Sequence, residues 1–373
     1  MPLRPRPEID AVETCIHGGL NDTDLRSTDL APDEILDFSV NANPYPPPSG
    51  IREALSTIAI DRYPDSEATE FRQCLAAKLG VPLGNILAGS GAIELIRLIA
   101  LTYFRHGDSI LIFEPTFGEY KVTCQIVGAE VVSWCGKEED SFVPGIEEVV
   151  NLIRQCHPRG VFVCNPNNPM GYYLARQWVR MVLDACRDSL LILDEAYIAF
   201  VDEPWSSIGL ISRGNVVIVR SMTKDYALAG LRLGFAVASE EIINALRRVR
   251  PPWNVNAVAQ KAGIVALEDA GYLERCKREI TKAKQFLVDE LHRIGFTLVP
   301  SSTNFFLVKV TNAKNFRAAL LRHGMLVRDC TSFGLPEYVR IAARTMPECQ
   351  RLINTIKSMQ GEGEIGSDTW YKE

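Results

Sequence analysis

In Leu190-Leu191-Ile192-Leu193-Asp194-Glu195-Ala196-Tyr197, four aliphatic residues run without interruption into a carboxylate. Such a run reads as a strand buried on both faces, as in a parallel sheet. Asp194 then falls at the strand's carboxyl end, where open α/β sheets place their ligands. A carboxylate buried there needs a cationic partner or it takes up a proton, and a protonated pyridine nitrogen would be such a partner. Working outward, Val161-Phe162-Val163-Cys164 repeats the pattern and leads into Asn165-Pro166-Asn167-Asn168-Pro169-Met170-Gly171, a rigid turn whose Asn side chains can donate into the crevice. Ser109–Phe113, Val216–Val219 and Phe235–Ala238 are further strand candidates, with stretches between them long enough for crossover helices. Residues 46–257 therefore read as a large, mostly parallel-sheet α/β domain.

Downstream, Ser221-Met222-Thr223-Lys224 is followed by Gly230-Leu231-Arg232-Leu233-Gly234. The Lys224 amine suits an imine with an aldehyde cofactor, since a partly desolvated cationic pocket helps a lysine shed its proton. Ser221, Thr223 and planar Arg232 suit the cofactor's phosphate, with glycines allowing close backbone approach. Gly89-Ser90-Gly91-Ala92-Ile93-Glu94 precedes an apolar run from Leu95 to Tyr103, so free amides at a helix start can face the same anion. Each piece alone also reads as an ordinary strand end, surface lysine or glycine cap. Their order and shared place at strand ends favour one site.

On these motifs the chain resembles the fold-type I, pyridoxal 5′-phosphate-dependent enzymes of the class I/II aminotransferase family, over most of its length from about Asp37 to Arg340. The resemblance implies the aspartate aminotransferase fold, with Lys224 bound to the cofactor and Asp194 paired with its pyridine nitrogen. It implies that Tyr197 and Asn168 hydrogen-bond the phenolic oxygen and that Phe117, in Pro115-Thr116-Phe117-Gly118, stacks on the ring. The backbone of Ala92 and Ile93 would contact phosphate. Met170 stands where the family's turn carries Thr, and Ser90 where Asn is common. Asp61-Arg62-Tyr63-Pro64 resembles the Arg-Tyr-Pro motif whose Tyr reaches the neighbouring subunit's cofactor phosphate, so Tyr63 implies a homodimer.

The cofactor is the electron sink, and the protein decides which bond at the substrate's α-carbon breaks. Arg328 and Arg340 lie at or beside strand-like apolar residues, at family positions that bind a substrate carboxylate or phosphate. Ile16-His17-Gly18-Gly19 and Asp37-Phe38-Ser39-Val40-Asn41-Ala42-Asn43-Pro44 resemble the threonine-phosphate decarboxylases of cobalamin biosynthesis, where these segments lie over the substrate. Glycines beside His17 also offer backbone donors and close approach to an anion. The reading is a decarboxylase acting on L-threonine O-3-phosphate, with His17, Gly18, Gly19, Asn41, Arg328 and Arg340 around the substrate. The alternative is a histidinol-phosphate aminotransferase or another class I/II transaminase, which shares Arg-Tyr-Pro, Asp194-Glu195-Ala196-Tyr197 and Ala229-Gly230-Leu231-Arg232.

Residues 1–45, rich in Pro and Asn towards their end, read as an arm in extended form. A charged helical pattern over 258–294, strands near Phe305–Val310 and Val339–Ala342 and a helix near Ala313–Arg322 make a smaller α+β domain over 258–359, before a polar tail, 360–373. The net charge of −6 offers no electrostatic case for nucleic acid or an anionic membrane. No apolar run reaches transmembrane length, and the start lacks a signal-peptide stretch, so a cytoplasmic enzyme is expected. Ten cysteines without a C-x-x-C pair suit free thiols, and no structural metal is expected.

Overall fold

The run Leu190–Asp194 is the central strand of a seven-stranded sheet. In chain order the strands are β1 Leu36–Asp37, β2 Ile86–Gly89, β3 Ser109–Glu114, β4 Glu130–Cys135, β5 Gly160–Cys164, β6 Leu190–Asp194, β7 Val216–Ser221, β8 Gly234–Ala238, β9 Leu298–Val299, β10 Phe305–Lys309, β11 Met325–Leu326, β12 Arg328–Asp329 and β13 Tyr338–Ala342. The computed structural model describes residues 3–10 and 12–362. The large sheet has the order β2-β8-β7-β6-β5-β3-β4; β8 runs antiparallel to both its neighbours and the other pairs are parallel. Every residue of β5, β6 and β8 is buried, as helices covering both faces require.

Two strands of this sheet are absent from the sequence expectation. β2 is only four residues long and merges into the glycine turn that draws the eye. β4 is an edge strand whose Glu130, Ser133 and Cys135 face solvent, so it lacks the aliphatic run. The charged pattern expected over 258–294 is two helices, Ala257–Glu268 and Tyr272–Arg293, interrupted at Asp269-Ala270-Gly271. The first is largely apolar and packs on the helices Ile51–Ser56 and Thr69–Leu79, so the large layer continues past residue 257. A Cβ at Gly263 would stand 2.6 Å from Leu233 and 2.7 Å from Phe71, which shows how close that packing is. The second packs on the helix Met346–Gly361 and carries the solvated Lys/Glu face.

The small domain's sheet is antiparallel, in the order β12-β13-β10-β9. The arm joins this domain through a separate two-stranded sheet: β1 pairs in parallel with β11, Leu36 opposite Met325 and Asp37 opposite Leu326. Short helices at Pro7–Asp10 and Asp22–Arg26 interrupt the otherwise extended arm. Of the expected tail, residues 363–373 lie outside the described residues. No helix among the described residues is long and apolar enough to cross a membrane.

Candidate active site

The carboxyl ends of β5, β6 and β7 and the start of the helix Gly91–Tyr103 converge on one cavity. Ala92, Ile93, Phe117, Cys164, Asn168, Asp194, Ala196, Tyr197, Ser221, Thr223, Lys224 and Arg232 line it. Every expected cofactor residue except Tyr63 is brought together there.

At one end the geometry suits a phosphate. The Ser90 side chain does not cap the helix; its amide instead donates to Glu94 Oε2 at 2.6 Å, and Asn254 steadies the same carboxylate oxygen at 2.7 Å. The next amides are left to an anion, with the helix dipole behind them. Gly91 has φ +76°, and a Cβ there would stand 2.9 Å from Arg232 Nη2, so glycine lets the guanidinium pass. A Cβ at Gly234 would stand 2.8 Å from the Ala92 nitrogen, so this glycine lets the helix start approach the sheet. The Ser221 and Thr223 hydroxyls sit 2.6 Å apart beside them.

At the other end lies Asp194, buried at the carboxyl end of β6. Burial raises its carboxyl above the usual range, against the lowering pull of its hydrogen bonds and of Lys224. Tyr120 donates to Oδ2 at 2.6 Å and the Ala196 amide to Oδ1 at 3.0 Å. Tyr120 itself is held by stacking on Phe162, ring centroids 4.7 Å apart. The sequence reading missed Tyr120, whose only signal is its place one helical turn beyond Phe117. A protonated pyridine nitrogen would supply the cation this carboxylate lacks.

Lys224 follows β7 on the short helix Met222–Asp225, with Ser221 as N-cap. Desolvation, helped by the Arg340 and Arg232 charges, brings its amine down to about 8. Tyr197 is pushed up to about 12, chiefly by burial, so its hydroxyl keeps its proton. Asn168 accepts from Arg340 Nη1 through Oδ1, which leaves its amide nitrogen as a donor. Met170, where the family has Thr, is buried in an apolar cluster with Phe142, Leu307, Leu335 and Tyr338. That packing accounts for an apolar residue at this turn.

A second cavity adjoins the first and shares Phe117, Asn168, Tyr197 and Lys224 with it. His17, Gly18, Asn41, Arg328 and Arg340 line it, as does Cys15. Both arginines are buried and hold the arm: Arg340 Nη2 donates to Ser39 O at 2.8 Å, and Arg328 Nη2 to Ile16 O at 2.6 Å. Among the described residues, Arg340 Nε and the buried Asn41 Oδ1 have no partner. His17 Nε2 lies 3.0 Å from Glu119 Oε1. Gly19 departs from expectation. It lines the neighbouring open cleft, and its amide donates to Ser39 Oγ at 2.8 Å, so it offers no free donor to a substrate.

Tyr63 does not line either cavity of its own chain. It is 78% exposed and stacks on the half-exposed Trp253, ring centroids 4.3 Å apart.

Residues 33–356 match the family model described as aminotransferase class I and II. The chain belongs to this family. Its cofactor is pyridoxal 5′-phosphate, and the chain is a pyridoxal-phosphate-dependent enzyme of the aminotransferase family. It is 34% identical over 340 residues to a histidinol-phosphate aminotransferase of Symbiobacterium thermophilum, covering 88% of this chain and 92% of that relative. Among solved structures it is similar to the histidinol-phosphate aminotransferase of Clostridium acetobutylicum, with TM-score 0.80 and 27% identity over 88% of this chain and all of that one. It is also similar to the L-threonine-O-3-phosphate decarboxylase of Porphyromonas gingivalis, with TM-score 0.77 and 27% identity over 87% of this chain and 99% of that one. These relationships establish the fold-type I architecture and the cofactor class. The residues of the first cavity fit that cofactor: an amine, Lys224, and a carboxylate with no salt-bridge partner among the described residues, Asp194, line one cavity together with an anion cup and two hydroxyl or amide donors.

Proposed function

We propose that this chain transaminates a small phosphorylated amino compound, histidinol phosphate being the substrate favoured by the relatives' names. The observation that carries the substrate class is the pair Arg328 and Arg340, both buried and both facing the cavity that adjoins the cofactor site. Buried guanidinium groups without carboxylate partners among the described residues suit anions on the substrate and on a 2-oxo acid acceptor.

When bound, pyridoxal phosphate draws electrons from the substrate's α-carbon. The residues do the rest. Ala92 and Ile93 amides, Ser221, Thr223 and Arg232 would hold the phosphate, Phe117 would cover the ring and Asp194 would pair with the ring nitrogen. Asn168 and Tyr197 donate to the phenolic oxygen. Lys224 Nζ would hold the cofactor and would move the α-proton, a task suited to an amine that is neutral above about 8. Asn41 Oδ1 is an acceptor for the substrate's amine. Tyr63 reaches the phosphate of a second copy in a homodimer. Initial rates test the reaction type: they should depend on both the phosphorylated amine and 2-oxoglutarate, in the parallel-line pattern of alternating half-reactions. Turnover indifferent to the oxo acid would sink transamination.

A second reading, decarboxylation of L-threonine O-3-phosphate, is favoured by one observation. The arm's Ile16–Gly18 segment forms part of the cavity wall and is anchored there by Arg328. A substrate with both carboxylate and phosphate suits donors arriving from two directions. Under this reading, removing residues 1–22 damages threonine-phosphate turnover and leaves the absorbance of the bound cofactor unchanged; full activity of the truncated enzyme would remove it.

A further inference from the structure

Two neighbouring arm residues and a glutamate about a hundred positions later meet where the arm crosses the start of the helix Glu119–Ile126. The Cys15 sulfur, a His17 ring nitrogen and a Glu119 carboxylate oxygen all lie within 4.8 Å of one another. The closest approach is His17 Nε2 to Glu119 Oε1, 3.0 Å. Glu119 is buried, and Arg97 Nη2 lies 3.3 Å from its other oxygen, Oε2, which leaves Oε1 to face His17. Cys15 is brought in by the absence of a side chain at Gly118, where a Cβ would stand 2.7 Å from Sγ.

We propose that Cys15, His17 and Glu119 form a binding site for a Zn2+-class divalent ion that pins the arm over the substrate cavity. One thiolate, one imidazole and one carboxylate are the ligand types zinc takes at about 2.0–2.3 Å, and a tetrahedral ion between them has one position left for water. Arg97 acts as the outer partner that orients the carboxylate. On binding, the Cys15 thiol loses its proton to the buffer and the His17–Glu119 hydrogen bond gives way to two metal bonds. Arg97 and Arg328 are cations nearby, so the site is weaker than a closed structural one and fills reversibly.

The consequence is inhibition. Cys15, His17 and Gly118 line the same cavity as Arg328 and Arg340. An ion bridging the arm to the helix Glu119–Ile126 narrows the entrance and competes with substrate for it. Metal binding itself stands whichever substrate the enzyme takes; only the inhibition rests on the proposed substrate cavity.

The test is calorimetric titration of the holoenzyme, freed of excess cofactor, with Zn2+ alone in a phosphate-free buffer. One ion per chain is expected, with a binding heat that varies between buffers because a proton is released. Cys15→Ser and Glu119→Gln should each weaken binding by at least about 10-fold. Cys135→Ser, an exposed cysteine elsewhere, should bind as the unmodified enzyme does. Equal affinity in Cys15→Ser, or no saturable binding in the unmodified holoenzyme, overturns the site. If Zn2+ binds at this stoichiometry but leaves KM unchanged, the site stands and the pinning of the arm is wrong.

Discussion

Arg328 on β12 and Arg340 on β13 stand directly opposite each other across the antiparallel pair. Both are buried, and among the described residues neither forms a salt bridge with a carboxylate. Burial lowers the affinity of each guanidinium for its proton, and for Arg328 the charge of Arg340 adds to the effect. Two like charges out of water are costly unless an anion joins them. An anionic ligand should therefore stabilise the holoenzyme well. At 100 times its Kd a ligand adds about 2.7 kcal/mol, a rise of several degrees in Tm. Arg328→Ala and Arg340→Ala should each lose at least about 2 kcal/mol in kcat/KM, roughly 30-fold. Arg340→Ala should also alter the absorbance of the bound cofactor, because Asn168 Oδ1 loses its donor. A Tm indifferent to 2-oxoglutarate and to phosphate argues against an anion site here.

The amine of Lys224 falls to about 8 from the ordinary 10.5, so its neutral form appears between those two values in the folded protein. The neutral amine is the nucleophile. The rate of rebinding pyridoxal phosphate to the apoenzyme should rise with pH and level off above about 8. Lys224→Ala should lack both the lysine-bound absorbance and turnover. A rate still climbing in proportion to hydroxide at pH 9.5 means that desolvation does not tune this lysine.

Asp194→Asn keeps the shape and removes the charge proposed to pair with the ring nitrogen. Cofactor affinity should fall modestly, whereas kcat should fall by about 100-fold or more, since charge at the reacting centre develops in the transition state. Tyr120→Phe deletes one hydrogen bond to that carboxylate and should cost about 1.5–3 kcal/mol in the same direction. Near-normal kcat in Asp194→Asn would mean that another group holds the ring nitrogen.

The exposed Tyr63–Trp253 stack lies outside the site of its own chain. If Tyr63 acts across the proposed dimer, mixing inactive Lys224→Ala with Tyr63→Ala should restore activity, because one site of each mixed dimer then carries neither lesion. No recovery after verified subunit exchange places the role of Tyr63 within its own chain.

The parts of this molecule that are readable from the chain are those whose physics is local. An unbroken apolar run declares β5, β6 and β7, and a carboxylate or lysine shortly past such a run lands in the crevice, as Asp194 and Lys224 do. What is unreadable depends on distant partners. Glu119 gains meaning only when His17, over a hundred residues earlier, arrives beside it, and Tyr120 only when it meets Asp194. The amide of Gly19 looks like a donor until Ser39 takes it. Short β2 and exposed β4 borrow their order from neighbouring strands, so their own residues carry little signal.

The central claim, amino-group transfer from a phosphorylated amine, is tested most directly by product analysis of two parallel incubations. One contains histidinol phosphate with 2-oxoglutarate; the other contains L-threonine O-3-phosphate alone. The account predicts glutamate in the first, in equal amount to the amine consumed, and no carbon dioxide in the second. Carbon dioxide from threonine phosphate, with no glutamate from histidinol phosphate, would contradict it.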